Sequence, residues 1–120
     1  MAYEWLDKFC LAQPGVTKDY QPDWAATRYH VGGKMFAMRG GDKDGKPIFT
    51  LKLDPLRGDL LRQQYAHIVP GYYMNKMHWN SLYLEGDVPD DVVEGMIREA
   101  YQLVLRSLSK KVQLEIAGGQ

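Results

Sequence analysis

The chain has 120 residues, 45% hydrophobic and 25% charged, and its 15 basic side chains are balanced by 15 acidic ones. That size and composition describe one folded domain and exclude a disordered or low-complexity chain. The neutral total counts against a nucleic-acid binder recognised by bulk charge alone. One cysteine, Cys10, excludes an internal disulfide. The first residues lack a basic region followed by an apolar run, and no stretch approaches the roughly 18 apolar residues of a membrane span. The expectation is a cytoplasmic protein with no membrane contact.

Ala2 to Ala12 predicts a helix, with Ala2, Leu6, Phe9 and Cys10 on one face and Pro14-Gly15 as its stop. Cys10 on that stripe reads as a small buried hydrophobe. Val16 to Asp23 reads as a polar connector. Trp24 to Val31 predicts a strand, Gly32-Gly33 a two-residue hairpin turn, and Lys34 to Arg39 the returning strand. Gly40 to Lys46 reads as a mobile hairpin loop, and Pro47 to Leu53 completes a three-stranded meander.

Asp54-Pro55 predicts a capped short helix ending near Tyr65, with Leu56 and Leu60 as its inner edge. A bend around Met74 to Met77 and a strand from Trp79 to Glu85 follow. A long final helix is expected from about Asp90 to Ser109, with Val93, Met96, Ile97, Ala100, Val104 and Leu108 as its core stripe. Helix, three strands, short helix, one or two strands and long helix make an α+β protein, an antiparallel sheet with helices on one face. We expect a single domain over residues 1–116 and a flexible tail over 117–120.

Charge is unevenly spread. Between Arg28 and Arg57 lie seven basic residues against Asp42, Asp44 and Asp54, whereas Glu85 to Glu99 has six acids against Arg98. Arg28, Lys34, Arg39, Lys43, Lys46 and Lys52, interleaved with Tyr29, His30, Phe36 and Phe49, are the candidates for phosphate contacts on a basic sheet face. The alternative for these residues is an ordinary solvated sheet face. A second candidate surface is Tyr72, Asn75, Lys76, His78 and Trp79, whose rings, amide and cation suit a ligand or protein. Its structural alternative is a bend in which Asn75 satisfies the backbone and Trp79 fills the core.

Other chemistries find little support. His30, His67 and His78 lack zinc spacing, and Cys10 has no partner, so no metal or other cofactor is expected. Ser81 has no Gly-x-Ser-x-Gly elbow around it. Gly40 to Lys46 is glycine-rich with lysines but lacks the phosphate-loop pattern and precedes a strand. No catalytic residue is assigned, and the protein reads as non-enzymatic.

The stretch Pro70-Gly-Tyr-Tyr-Met-Asn-Lys-Met-His-Trp-Asn-Ser-Leu-Tyr-Leu-Glu-Gly86, followed by Val88-Pro89-Asp90 and by Ala100-Tyr101, is similar to the MmcQ/YjbR family of small bacterial proteins. Pro14-Gly15, Trp24-Ala-Ala-Thr27, Phe36-Ala-Met38 and Leu51-Lys52 before Asp54-Pro55 agree with it. The resemblance implies a two-layer α/β sandwich like CyaY and frataxin. It also implies a DNA-binding protein of double-wing type, with duplex DNA as partner and a regulatory role. It brings no catalytic residues. Iron binding does not follow, because the first helix offers only Glu4 and Asp7 toward an acidic ridge. The competing expectation is a module that binds a small molecule or a protein, including resistance to a natural product by sequestration.

Overall fold

The computed structural model describes residues 3–71 and 74–118. Its elements in chain order are α1 (Leu6–Ala12), β1 (Val16–Gln21), β2 (Ala26–Val31), β3 (Lys34–Gly41) and β4 (Pro47–Lys52). Then come α2 (Pro55–Gln64), β5 (Ile68–Pro70), β6 (Trp79–Tyr83), α3 (Asp90–Ser107) and α4 (Lys110–Gly118). One six-stranded sheet runs β1-β2-β3-β4-β6-β5, with every neighbouring pair antiparallel. The expected α+β sandwich is therefore present, with α1, α2 and α3 on a single face.

Register fixes which side chains share a face, because directly opposed residues point the same way. Thr27, Arg39, Phe49, Leu82 and Ile68 form one row; Tyr29, Ala37, Leu51 and Asn80 form the next on the same side. This is the helix-covered face. Its core joins Tyr29, Phe49, Leu51 and Leu82 to Leu6 and Cys10 of α1, Leu61 of α2, and Val93, Met96, Ile97 and Ala100 of α3. The opposite rows, including Arg28, Met38, Gly40, Ile48, Thr50, Lys52, Ser81 and Tyr83, form the second face, which no helix covers among the described residues.

Several expectations change. Val16 to Asp23 is not a connector: its first six residues are strand β1 at the sheet edge. Thr17 to Tyr20 are all exposed, so no in-out alternation marks the strand, and backbone pairing with β2 alone defines it. Trp24 does not begin β2. It lies in the turn before it, and Ala25 there takes φ 50, a left-handed backbone that costs an L residue about 1–2 kcal/mol.

α2 forms where Asp54-Pro55 places it, the Asp54 carboxylate accepting from Leu56 N–H at 3.2 Å. Its inner edge differs. Leu56 and Leu60 are 69% and 51% exposed, while Gly58 and Leu61 are buried. Gly58 decides this rotation: a Cβ there would come within 2.8 Å of the Asn80 amide beneath it. Arg62, on the same side, donates to Asn80 Oδ1 and so satisfies a fully buried amide.

The last helix is two. α3 ends at Ser107, Leu108 is extended, and Ser109 starts α4 by accepting from Val112 N–H at 3.2 Å through its hydroxyl. Ile116 of α4 packs back against the core, with Gly15 beneath it. Ala117 and Gly118 thus belong to a helix instead of a tail; Gly119 and Gln120 lie outside the described residues. The Gly32-Gly33 turn is as expected, with φ of 57 and 81.

Candidate functional site

The second face of the sheet carries a groove at the end where β2 begins and the β3–β4 hairpin turns. Its volume is about 630 Å³, and Trp24, Ala26, Met38, Ile48 and Met74 supply its apolar wall. The rest is contributed by Asp23, Ala25, Asp42 and three glycines, Gly40, Gly41 and Gly45. Gly40 lies directly opposite Ile48 in the sheet, and the absence of a side chain there leaves the floor open. A Cβ on Gly40 would already touch the Ala26 methyl at 3.4 Å.

Asp42 anchors this end. It is 7% exposed, and its Oδ1 accepts from the N–H groups of Asp44 and Lys46, both at 2.9 Å. Its Oδ2 accepts from the Tyr83 hydroxyl at 2.9 Å. Burial alone would raise its carboxyl pKa, but the Lys46 N–H, the Tyr83 hydroxyl and the Asp44 N–H together outweigh it and hold the group below the usual range. The hairpin expected to be mobile is thereby pinned to β6. Beyond the groove, Thr50 and Ser81 share a buried hydroxyl contact at 2.8 Å.

The six candidate phosphate contacts do not converge. Arg28 is on the second face, where Asp19 takes its Nη2 at 2.7 Å and its Nε at 2.8 Å, and its guanidinium lies 5.4 Å from the Trp24 ring. Arg39 is on the helix face, close enough to Asp7 to help lower that carboxyl. Lys34 opens β3 beside the Gly32-Gly33 turn, and Lys52 ends β4 opposite Trp79. Lys43 and Lys46 are exposed at the other end of the sheet, in the loop that also holds Asp42 and Asp44. The expected single basic face is absent because alternation along β2 and β3 sends Arg28 and Arg39 to opposite sides, and an acid neutralises the first.

The second candidate surface is a turn. Asn75 accepts from Met77 N–H through its side chain at 2.8 Å and from Trp79 N–H through its carbonyl at 2.9 Å. Lys76 donates to the Gly71 carbonyl at 3.1 Å. His78 gives its carbonyl to Leu53 N–H at 2.8 Å, and Trp79 is half-buried on β6. Tyr72 lies outside the described residues. This turn contributes Met74 to the groove.

The groove residues were missed because four separate segments supply them. One signal was available: β4 alternates apolar side chains on both faces, Ile48 against Phe49 and Leu51, so both of its sides must be covered. Among the described residues no group of three His, Cys, Asp or Glu side chains could hold a metal ion, and no helix is long and apolar enough to cross a membrane.

A helix-backed antiparallel sheet with a groove on its bare face defines a class, the small two-layer α+β domains. Within that class, a family model for YjbR matches residues 11–103, and the chain belongs to the YjbR family. The "Uncharacterized protein YjbR" of Escherichia coli K12 is 33% identical over 106 residues, covering 88% of this chain and 89% of the relative. The "Uncharacterized protein YbdF" of Escherichia coli O157:H7 is 35% identical over 91 residues, 76% and 74% of the two chains. The crystal structure of Deinococcus radiodurans protein DR2400, a DUF419 domain, superposes with a TM-score of 0.83 at 30% identity, over 93% of this chain and 85% of that one.

Proposed function

We propose that this chain is a non-enzymatic binding module whose ligand is a small molecule seated in the groove on the bare sheet face. One observation carries the reading. A 630 Å³ cavity lies against Ala26, Met38 and Ile48, which are buried yet stand apart from the helix-side core. Its size falls in the range of about 300–1,000 Å³ typical of ligand sites, and an apolar wall with a few fixed polar groups suits one. The strained backbone of Ala25 at the rim fits a site held in shape for a purpose. Sequestration is the simplest role for such a module, in a cytoplasmic setting.

The test is amide shift perturbation with a mixture of small aromatic and aliphatic fragments. Shifts should gather at Trp24, Met38, Gly40 and Ile48. Gly40→Leu, which fills the floor, should abolish them while the thermal melt stays cooperative. Shifts spread over the surface, or unaffected by Gly40→Leu, would end the reading.

Duplex DNA, gripped by a double wing and serving regulation, is the second reading; the CyaY-like kinship belongs with it. What favours it is Lys43 and Lys46, both exposed at the β3–β4 hairpin. Binding that falls steeply with salt and is weakened by Lys43→Ala and Lys46→Ala would support it. No binding at low salt would remove it.

A further inference from the structure

We infer that the groove selects cationic amphiphiles: an organic ammonium at Asp23 and Asp42, with its apolar body along Trp24, Met38, Ile48 and Met74. The inference rests on the groove being the ligand site and adds the charge of what enters it. Among the described residues, two charged side chains line the groove, Asp23 and Asp42, both acids, and neither lysine nor arginine lines it. Asp42 is satisfied by three neutral donors, two backbone N–H groups and the Tyr83 hydroxyl. Hydrogen bonds of that kind fix a carboxylate and keep it ionised without cancelling its charge.

The Lys46 charge also acts on Asp42, but Lys46 does not line the groove. Asp23 is exposed, its own N–H held by the Gln21 side chain at 3.2 Å, and its carboxylate makes no ion pair among the described residues. Low-dielectric walls sharpen the field of two such charges inside a concave site. The Trp24 ring already carries the Arg28 guanidinium at 5.4 Å. An incoming cation therefore goes to the carboxylates, and the indole supplies apolar surface. Phosphates and carboxylates are disfavoured at the same place by like charge.

The experiment uses three probes of one shape, phenylbutylamine, phenylbutanol and phenylbutyrate, titrated into the full chain with amide shifts as the readout. The amine should bind about tenfold tighter than the alcohol, roughly one partly screened charge contact, and the acid should bind most weakly. Added salt should erode the amine's advantage and leave the alcohol unchanged. Asp23→Asn, at an exposed position, should cut that advantage several-fold. Asp42→Asn should do the same, since an amide oxygen can still accept from the Asp44 and Lys46 N–H groups. If amine and alcohol bind the groove equally, or neither variant lowers the amine's advantage, charge selection is overturned and the groove reading stands. If none of the three shifts Trp24, Gly40 or Ile48, the groove reading itself falls, and this inference with it.

Discussion

The two faces of this sheet are built from the same six strands yet hold themselves in different ways. The helix face is apolar at its centre: Phe49, Leu51 and Leu82 meet three helices, and Tyr29 and Phe49 pack edge to face at 6.1 Å. The bare face is patched from short pieces, a hydroxyl pair, a pinned hairpin and one turn, and it keeps a cavity. Apolar area on the first face stabilises the fold. On the second, buried polar groups fix geometry around a volume that side chains leave unfilled. Under the proposed function, stability and binding are divided between opposite surfaces of one layer.

If that division holds, Phe49→Ala should be the costliest single change. It empties a fully buried site among Tyr29 and the helices, and about 3–5 kcal/mol of unfolding free energy should be lost. Denaturant unfolding measures it. Ligand affinity per folded molecule should stay unchanged, because Phe49 points away from the groove. Loss of affinity in step with stability would merge the two faces into one unit.

Thr50→Val probes the second face at smaller cost. It removes the 2.8 Å hydroxyl contact with Ser81 inside the buried patch, and about 1–2 kcal/mol should go with it. Adding Ser81→Ala measures how far the two hydroxyls depend on each other, and a double variant that loses less than the two singles added together is expected for groups in contact. A double variant that loses as much as the two singles added together would show that the hydroxyls act separately.

How much of this the sequence disclosed depends on where the determinants lie. Gly32-Gly33 and Asp54-Pro55 were legible because a turn and a cap are written in adjacent residues. The stripe of α3 was legible because burial there follows one period. β1 was hidden, since a strand with both faces wet has no pattern to read. The rotation of α2 was hidden because Gly58 owes its position to Asn80, twenty-two residues on. The groove was hidden for the same reason on a larger scale. Trp24, Met38, Asp42 and Ile48 carry no common spacing and meet only through strand register.

On the helix side, Asp7 sharpens the comparison through pH. Its carboxylate accepts from the Tyr29 hydroxyl at 2.7 Å and from Lys18 at 3.0 Å. The Tyr29 bond is the main cause of its lowered pKa, with Lys18 adding to it against partial burial. A carboxyl depressed in the folded state contributes stability above its unfolded pKa, and that contribution is lost as pH falls through the folded value. Tyr29 is raised, by burial first and by Asp7 second, so its share is present below the unfolded phenol pKa and is lost as pH climbs toward the folded one. Asp7→Asn should therefore flatten both limbs of the stability profile and cost about 1 kcal/mol near neutrality, the carboxylate being partly solvated. An unchanged acid limb would mean that other carboxyls govern it.

The smallest expected effect lies on the bare face and bears on which of the two proposed readings holds. Arg28 and Asp19 form a two-pronged pair across β1 and β2, but Asp19 is largely in water, so deleting it should leave the unfolding midpoint nearly unchanged. Its charge matters more than its energy. With Asp19 present, Arg28 is neutralised and held beside the indole of Trp24. Asp19→Asn would free a cation at the groove's edge without touching the groove wall. Under the ligand reading, affinity for phenylbutylamine should fall slightly, because a positive charge now stands unopposed nearby. Under the DNA reading, affinity for a duplex should rise and its salt dependence steepen by about one phosphate contact. The two outcomes point in opposite directions from one substitution. A variant too mild to disturb the fold thus discriminates between partners.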